Sequence, residues 1–329
     1  MSPDRTARSP GVGGTPRRGT WALLLLGVLA LAGCAGVAPE AGAPRRQPLV
    51  IEAGADLAAS AQLVAARAHQ AEVIYLGELH DNPRHHAIQA GILEALLAAG
   101  KRPAVAFEMV PEARQAMLEA AVRSNAGPAE VDRELGWGAQ GWPDFAMYWP
   151  LFELARKHGL PVVATDLDPA VNRRISRDGL GAAGEDPARL RSAMPDDPAR
   201  DREIARRIRA VHCDRISESR AVRMLESWYA RNVVIARRVS GALAQAPQVV
   251  VIIGRGHQSP GAVPDQVDAL RPGTRQLVVG LFEGEADGPS AATADVVWLT
   301  PARPPHPDPC RSLPQRMGGV VGVPPVPVQ

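Results

Sequence analysis

The residues of this 329-residue chain best placed to do chemistry are two histidines that each follow a glycine by three positions. Gly77 and His80 lie in the run Val73-Ile74-Tyr75-Leu76-Gly77-Glu78-Leu79-His80-Asp81-Asn82-Pro83, and Gly254 and His257 close the run Val249-Val250-Val251-Ile252-Ile253-Gly254-Arg255-Gly256-His257. In both cases an apolar stretch precedes the glycine, so the histidine is delivered just past the end of a strand. Residues 78 and 80 share one side of an extended chain, which lets a carboxylate and an imidazole meet one metal ion or one proton. A third apolar run, Val105-Ala106-Phe107, ends in Glu108 and supplies a second carboxylate. Glu78, His80, Glu108 and His257 then form either a mixed nitrogen and oxygen metal set or an acid–base set around a polar ligand. Taken singly, Glu78-x-His80 reads equally as a polar strand end before a helix capped by Asp81 or Asn82, with Pro83 in its first turn. The repeated Gly-x-x-His spacing is what favours one shared site.

Bringing these groups together requires a sheet. Short apolar runs at 48–52, 72–77, 103–107, 161–165, 248–254 and 275–281 read as strands, and the segments 87–99 and 112–123 between them carry helical spacing. Continuous β-branched runs belong to parallel strands covered on both faces. The fold expected is therefore α/β, a mainly parallel sheet with crossover helices, whose ligands bind at the carboxyl ends of the strands. Between 186 and 245, Val222, Leu225, Trp228, Ile235, Val239 and Leu243 recur near a 3.6-residue period, which predicts a helical insertion capping one end of the sheet. The α/β domain is expected over 48–300.

Composition sets the outer limits. With 46% hydrophobic and 22% charged residues the chain is globular in class. Its 37 Lys+Arg against 35 Asp+Glu give a net charge of +2, with no dense basic stripe, which argues against nucleic acid as a partner. Arg5, Arg8, Arg17 and Arg18 precede the apolar run Trp21 to Ala32, too short for the ~20 residues that span a bilayer, so residues 1–33 read as a signal peptide. Leu31-Ala32-Gly33-Cys34 resembles a bacterial lipobox, which makes Cys34 the lipidated first residue of the mature chain, tied to a membrane surface. Ala35 after it favours the outer membrane, facing the periplasm. Residues 34–47 read as a tether, and 301–329, with nine prolines, as a disordered tail. Cys213 and Cys310 remain in a compartment that permits disulfides, and the sequence leaves open whether they pair.

The run YLGELHDNPRHHAIQ, the strand end AFEM, Trp142-Pro143-Asp144-Phe145 with Tyr148, Pro150, Leu151 and Phe152, and the late GRGH with Gly261 and Val263-Pro264 resemble the ChaN family of the Tiki/TraB superfamily over residues 48–282. The resemblance implies a lipoprotein that binds haem for iron acquisition, with dimerisation around the haem. The Tiki branch implies instead a metal-dependent hydrolase using Glu78, His80, Glu108 and His257. Two features depart from the family pattern: Asp166-Leu167-Asp168-Pro169-Ala170 stands where an Asn-Ile-Pro-Arg-like segment is usual, and Trp228 and Asn232 align with a Gln and an Asp.

Haem iron needs an axial donor. Tyr148, within an aromatic segment, and His86, one turn before Gln89, are the candidates, against plain packing or capping roles. Arg84 and Arg255 are candidate partners for haem propionates. Three functions are thus in play: a membrane-anchored carrier of haem or an iron chelate, a hydrolase holding a divalent metal, and an envelope assembly protein with no cofactor.

Overall fold

The computed structural model describes residues 47–184, 187–191, 196–304 and 310. The expected signal peptide, Cys34, the tether up to residue 46 and the tail at 305–309 and 311–329 lie outside the described residues. Seven strands form one all-parallel sheet: β1 (Leu49–Ile51), β2 (Val73–Glu78), β3 (Ala104–Pro111), β4 (Val162–Asp166), β5 (Val249–Gly254), β6 (Gln276–Glu283) and β7 (Val296–Thr300), in the order β1-β7-β6-β2-β5-β3-β4. The α/β expectation holds. Six strands coincide with the apolar runs of the sequence, while β7 is not among them, although Val296-Val297-Trp298-Leu299 carries a strand composition.

The sheet is covered on both faces, as its uninterrupted apolar strands demand. One face of β2 and β5, Ile74, Leu76, Val250 and Ile252, packs under the helices Leu57–Arg67, Pro83–Ala98 and Trp149–Lys157. The other, Val73, Tyr75, Val249, Val251 and Ile253, packs against Ile235, Ala236 and Val239 of the long helix Glu218–Ala242. Between β4 and β5 the chain is helical, but the helices start at Pro169 rather than near 186, because Asp168 caps the helix Pro169–Asp178 through the backbone N–H groups of Ala170 and Val171.

Strand order positions the site. β2 is hydrogen-bonded to β5, with Glu78 in register with Gly254, and β5 to β3. The carboxyl ends of these three adjacent strands therefore bring together Glu78, Glu108 and the turn Arg255–Gln258, and β4 adds Asp166 at the edge. Cys213, in the turn between the helices Pro198–Val211 and Glu218–Ala242, is bonded to Cys310, Cα–Cα 5.6 Å, which settles the pairing left open by the sequence.

Candidate functional site

Glu78 is the last residue of β2 and is buried on the face that carries Ile74 and Leu76. Four donors surround its carboxylate. Oε1 accepts from the Tyr148 hydroxyl at 2.7 Å and lies 2.8 Å from His80 Nδ1, while Oε2 accepts from Gln89 Nε2 at 2.6 Å and lies 3.1 Å from His86 Nδ1. Burial works against its charge, but His86 and His80 outweigh burial and hold the carboxyl well below the usual range.

The two histidines that open the helix Pro83–Ala98 are held in opposite protonation states by their partners. His85 Nδ1 accepts from the Leu79 N–H at 2.9 Å, so this ring is neutral, with Nε2 facing Thr300 Oγ1 at 3.3 Å. Burial, with Arg255 and His86 adding to it, lowers its pKa to about 3. His86 meets acceptors at both nitrogens: the His80 carbonyl lies 2.9 Å from Nε2, and Gln89 Oε1 lies 3.1 Å from Nδ1 beside Glu78. Gln89 Nε2 also donates to the Leu76 carbonyl at 3.0 Å, which fixes the direction of its amide. His86 is thus an imidazolium paired with Glu78, and although burial opposes its charge, that carboxylate raises its pKa.

Glu108 lies on β3, two strands across the sheet from β2, and turns towards the opposite face. Its Oε2 accepts from the Gly254 N–H at 2.6 Å, and its Oε1 from Arg231 Nη2 at 2.9 Å, with His257 Nε2 at 3.1 Å. Arg231, from the long helix, also grips Asp166 through Nε at 2.8 Å and Nη2 at 3.0 Å. Burial of Glu108 is outweighed by His257, His80 and Arg231, which keep it charged. Asn232, on the same helix, holds His257, with Oδ1 2.5 Å from Nδ1, and the Trp228 ring stacks on that imidazole at 6.3 Å.

His80 stands between the two carboxylates. Its Nδ1 is turned to Glu78, its Nε2 is 4.0 Å from Glu108 Oε1, and the edge of the ring meets Trp142 at a centroid distance of 5.0 Å. Of the four residues expected to share a site it is the most exposed, with 13% of its side chain accessible. Burial lowers its pKa, and the carboxylates of Glu78 and Glu108 reverse that.

The glycine of each motif makes room for the other motif. A Cβ on Gly254 would stand 2.6 Å from His80 Nε2, and a Cβ on Gly77 2.1 Å from Gln258 Oε1, so alanine fits at neither position without displacing a packed side chain.

All four expected cluster residues converge. Among the described residues, however, no three His, Cys, Asp or Glu side chains are arranged to hold a metal ion, because Arg231 and the Gly254 N–H take up oxygens of Glu108 and the donors already described fill Glu78. Tyr148 reaches the cluster as a hydrogen-bond donor. Its side chain is fully buried, with the ring 4.1 Å from His86 and 4.7 Å from Trp137, and burial together with Glu78 raises its pKa well above the ordinary value. Arg84 is exposed at the start of its helix, and Arg255 is buried over the Phe282 ring. Arg231, Asp166 and Gln89 were not among the expected site residues. An arginine on an amphipathic helix reads as solvated, and only the packing of that helix across the strand ends turns it inward.

The chain matches the model of the family described as haem-binding uptake, Tiki superfamily, ChaN, over residues 64–267, more than half its length. It belongs to the ChaN family. Among solved structures, ChaN of Campylobacter jejuni, described with cofacial heme bound, superposes with a TM-score of 0.57 at 20% identity, covering 71% of this chain and 90% of that one. The type III effector HopBA1 gives 0.45 at 16% identity over 76% and 96%, and the erythromycin esterase EreC 0.41 at 14% over 68% and 73%. No curated protein matches the chain. At these identities the likeness to ChaN of Campylobacter jejuni establishes a shared fold, the α/β architecture described above.

Proposed function

We propose that this ChaN-family protein is an envelope-anchored haem-binding protein that serves iron acquisition, and that haem docks at the carboxyl ends of β2, β5 and β3. The observation that carries the reading is His80: a partly exposed imidazole beside Trp142, whose Nδ1 is engaged by a charged carboxylate and whose Nε2 has no hydrogen-bond partner within 3.5 Å among the described residues. A carboxylate behind one ring nitrogen is the arrangement that orients a metal-binding imidazole and raises its basicity. Of the expected donors, His80 is the one with a ring nitrogen left for iron, and that nitrogen is packed against Gly254. The two donors expected from the sequence are engaged otherwise, since the Tyr148 hydroxyl donates a hydrogen bond to Glu78 and both ring nitrogens of His86 face acceptors. Bound haem would supply the iron that is carried. Glu78 holds the His80 ring in place, Tyr148 and Gln89 hold Glu78, and Arg231 compensates the neighbouring charge of Glu108.

Export and anchoring through Cys34 are supported by the leader composition and by the Cys213–Cys310 disulfide, which belongs to an oxidising compartment. Titrating the chain from residue 35 with haemin, followed by absorbance, tests the reading. A saturable Soret shift near one haem per chain is expected, to be lost in His80→Ala and kept in Tyr148→Phe. Absence of any shift in the parent chain overturns it.

A further inference from the structure

Arg255 is 9% exposed, yet its Nε has no hydrogen-bond partner among the described residues. Its guanidinium lies over the Phe282 ring, 4.5 Å from the centroid, a contact that satisfies the face of the group and leaves its in-plane donors open. Buried arginine is ordinarily paired, because desolvating a cation without a partner is costly. Here burial pulls the pKa of Arg255 down, and Asp287 and Glu283 act on it only at a distance. Glu283 is otherwise engaged: it accepts from Asn82 Nδ2 at 2.5 Å and is ion-paired with Arg303. The neutral His85 feels the same positive field. Arg255 directly follows β5, next to Gly254, so among the described residues a buried cation without a hydrogen-bonded acid sits at the end of that strand, over Phe282.

We propose that Arg255 is the carboxylate receptor of this edge: it binds a carboxylate of the ligand, which on the haem reading, on which this inference rests, is a propionate. A planar fork of donors held flat by an aromatic ring suits bidentate recognition of a carboxylate, and the pairing relieves the cost of its burial. Recognition then depends on the ionised acid of the porphyrin and not only on iron.

The test compares haemin with haemin dimethyl ester, in which both propionates are blocked, on the parent chain and on Arg255→Gln and Arg255→Lys, with thermal melting to confirm that each variant folds. The parent chain is expected to bind haemin about tenfold more tightly than the ester, the ratio set by one charge-assisted hydrogen-bonded contact. Arg255→Gln is expected to bring that ratio to about one with ester affinity unchanged, and Arg255→Lys to restore part of it. A ratio that survives in Arg255→Gln, or a parent chain that binds both compounds equally, overturns the receptor role and leaves haem binding intact. A parent chain that binds neither compound overturns both.

Discussion

His80 Nε2 lies 2.6 Å from the point a Cβ on Gly254 would occupy, so the histidine of the first motif rests on the glycine of the second. The converse holds between Gly77 and Gln258. The two Gly-x-x-His segments are two halves of one packing arrangement, and neither histidine turn keeps its place if the other strand end changes.

Gly254→Ala is expected to push His80 off its seat. Overpacking of this kind costs roughly 1–3 kcal/mol, to be read by urea denaturation, and haem titration of the folded variant is expected to match His80→Ala. A variant as stable as the parent, with normal haem binding, would sink the argument from packing.

Arg231 is the counter-charge for Glu108 and Asp166. Removing it in Arg231→Met leaves a fully buried carboxylate without its cation, a loss of about 3–5 kcal/mol. Arg231→Lys keeps the charge but cannot span both acids, and is expected to fall between. Equal stability of Arg231→Lys and the parent would show that the bidentate grip contributes little.

His85 gives the fold a particular sensitivity to acid. Its folded pKa of about 3 lies below the ordinary value of 6.5, so the unfolded chain binds the extra proton between those limits. Stability from this group is present above pH ~6.5 and is lost as pH falls towards 3, at up to about 1.4 kcal/mol per pH unit. His80 and His86 have the opposite sign: their pKa values are raised, so their contribution is present below the unfolded value and fades as pH rises through the folded one. His85→Gln is expected to flatten the acid side of the stability profile, measured as urea midpoints from pH 7 to 4. A profile parallel to that of the parent chain would contradict the neutral state assigned to this ring.

The Cys213–Cys310 bond joins residues 97 apart in sequence. For a loop of that length chain entropy alone gives about 4–5 kcal/mol, and measured losses run at about 2–5 kcal/mol. Cys213→Ser is expected to lower Tm by several degrees, and reductant to lower the parent chain to the same value without affecting the variant.

The strands were legible where a run of apolar residues cannot be satisfied except between two covered faces, as in Val249 to Ile253. Convergence of Glu78, His80, Glu108 and His257 was legible because each closes such a run. β7 was harder to see, since five residues beside a proline-rich tail carry little periodicity. For Tyr148 the sequence leaves an iron-ligand role and a packing role both open, because hydroxyl direction is a tertiary matter, decided by how the aromatic segment with Trp137, Phe145 and Phe152 seats it over Glu78. Arg231 carries no local signal at all, because its partners are 123 and 65 residues away.

The interior position of β2 sets the order in which the molecule can come into being. Its two neighbours, β5 and β6, are made some 175 and 200 residues after it. A chain emerging from its N-terminus therefore carries β2 with both edges unsatisfied, and with His80 unable to find Gly254 in place, until β5 has been made. Pairings of such long range are slow to form. On the export route proposed above, in which the chain crosses a membrane before it folds, that delay would keep the nascent chain extended while it is translocated.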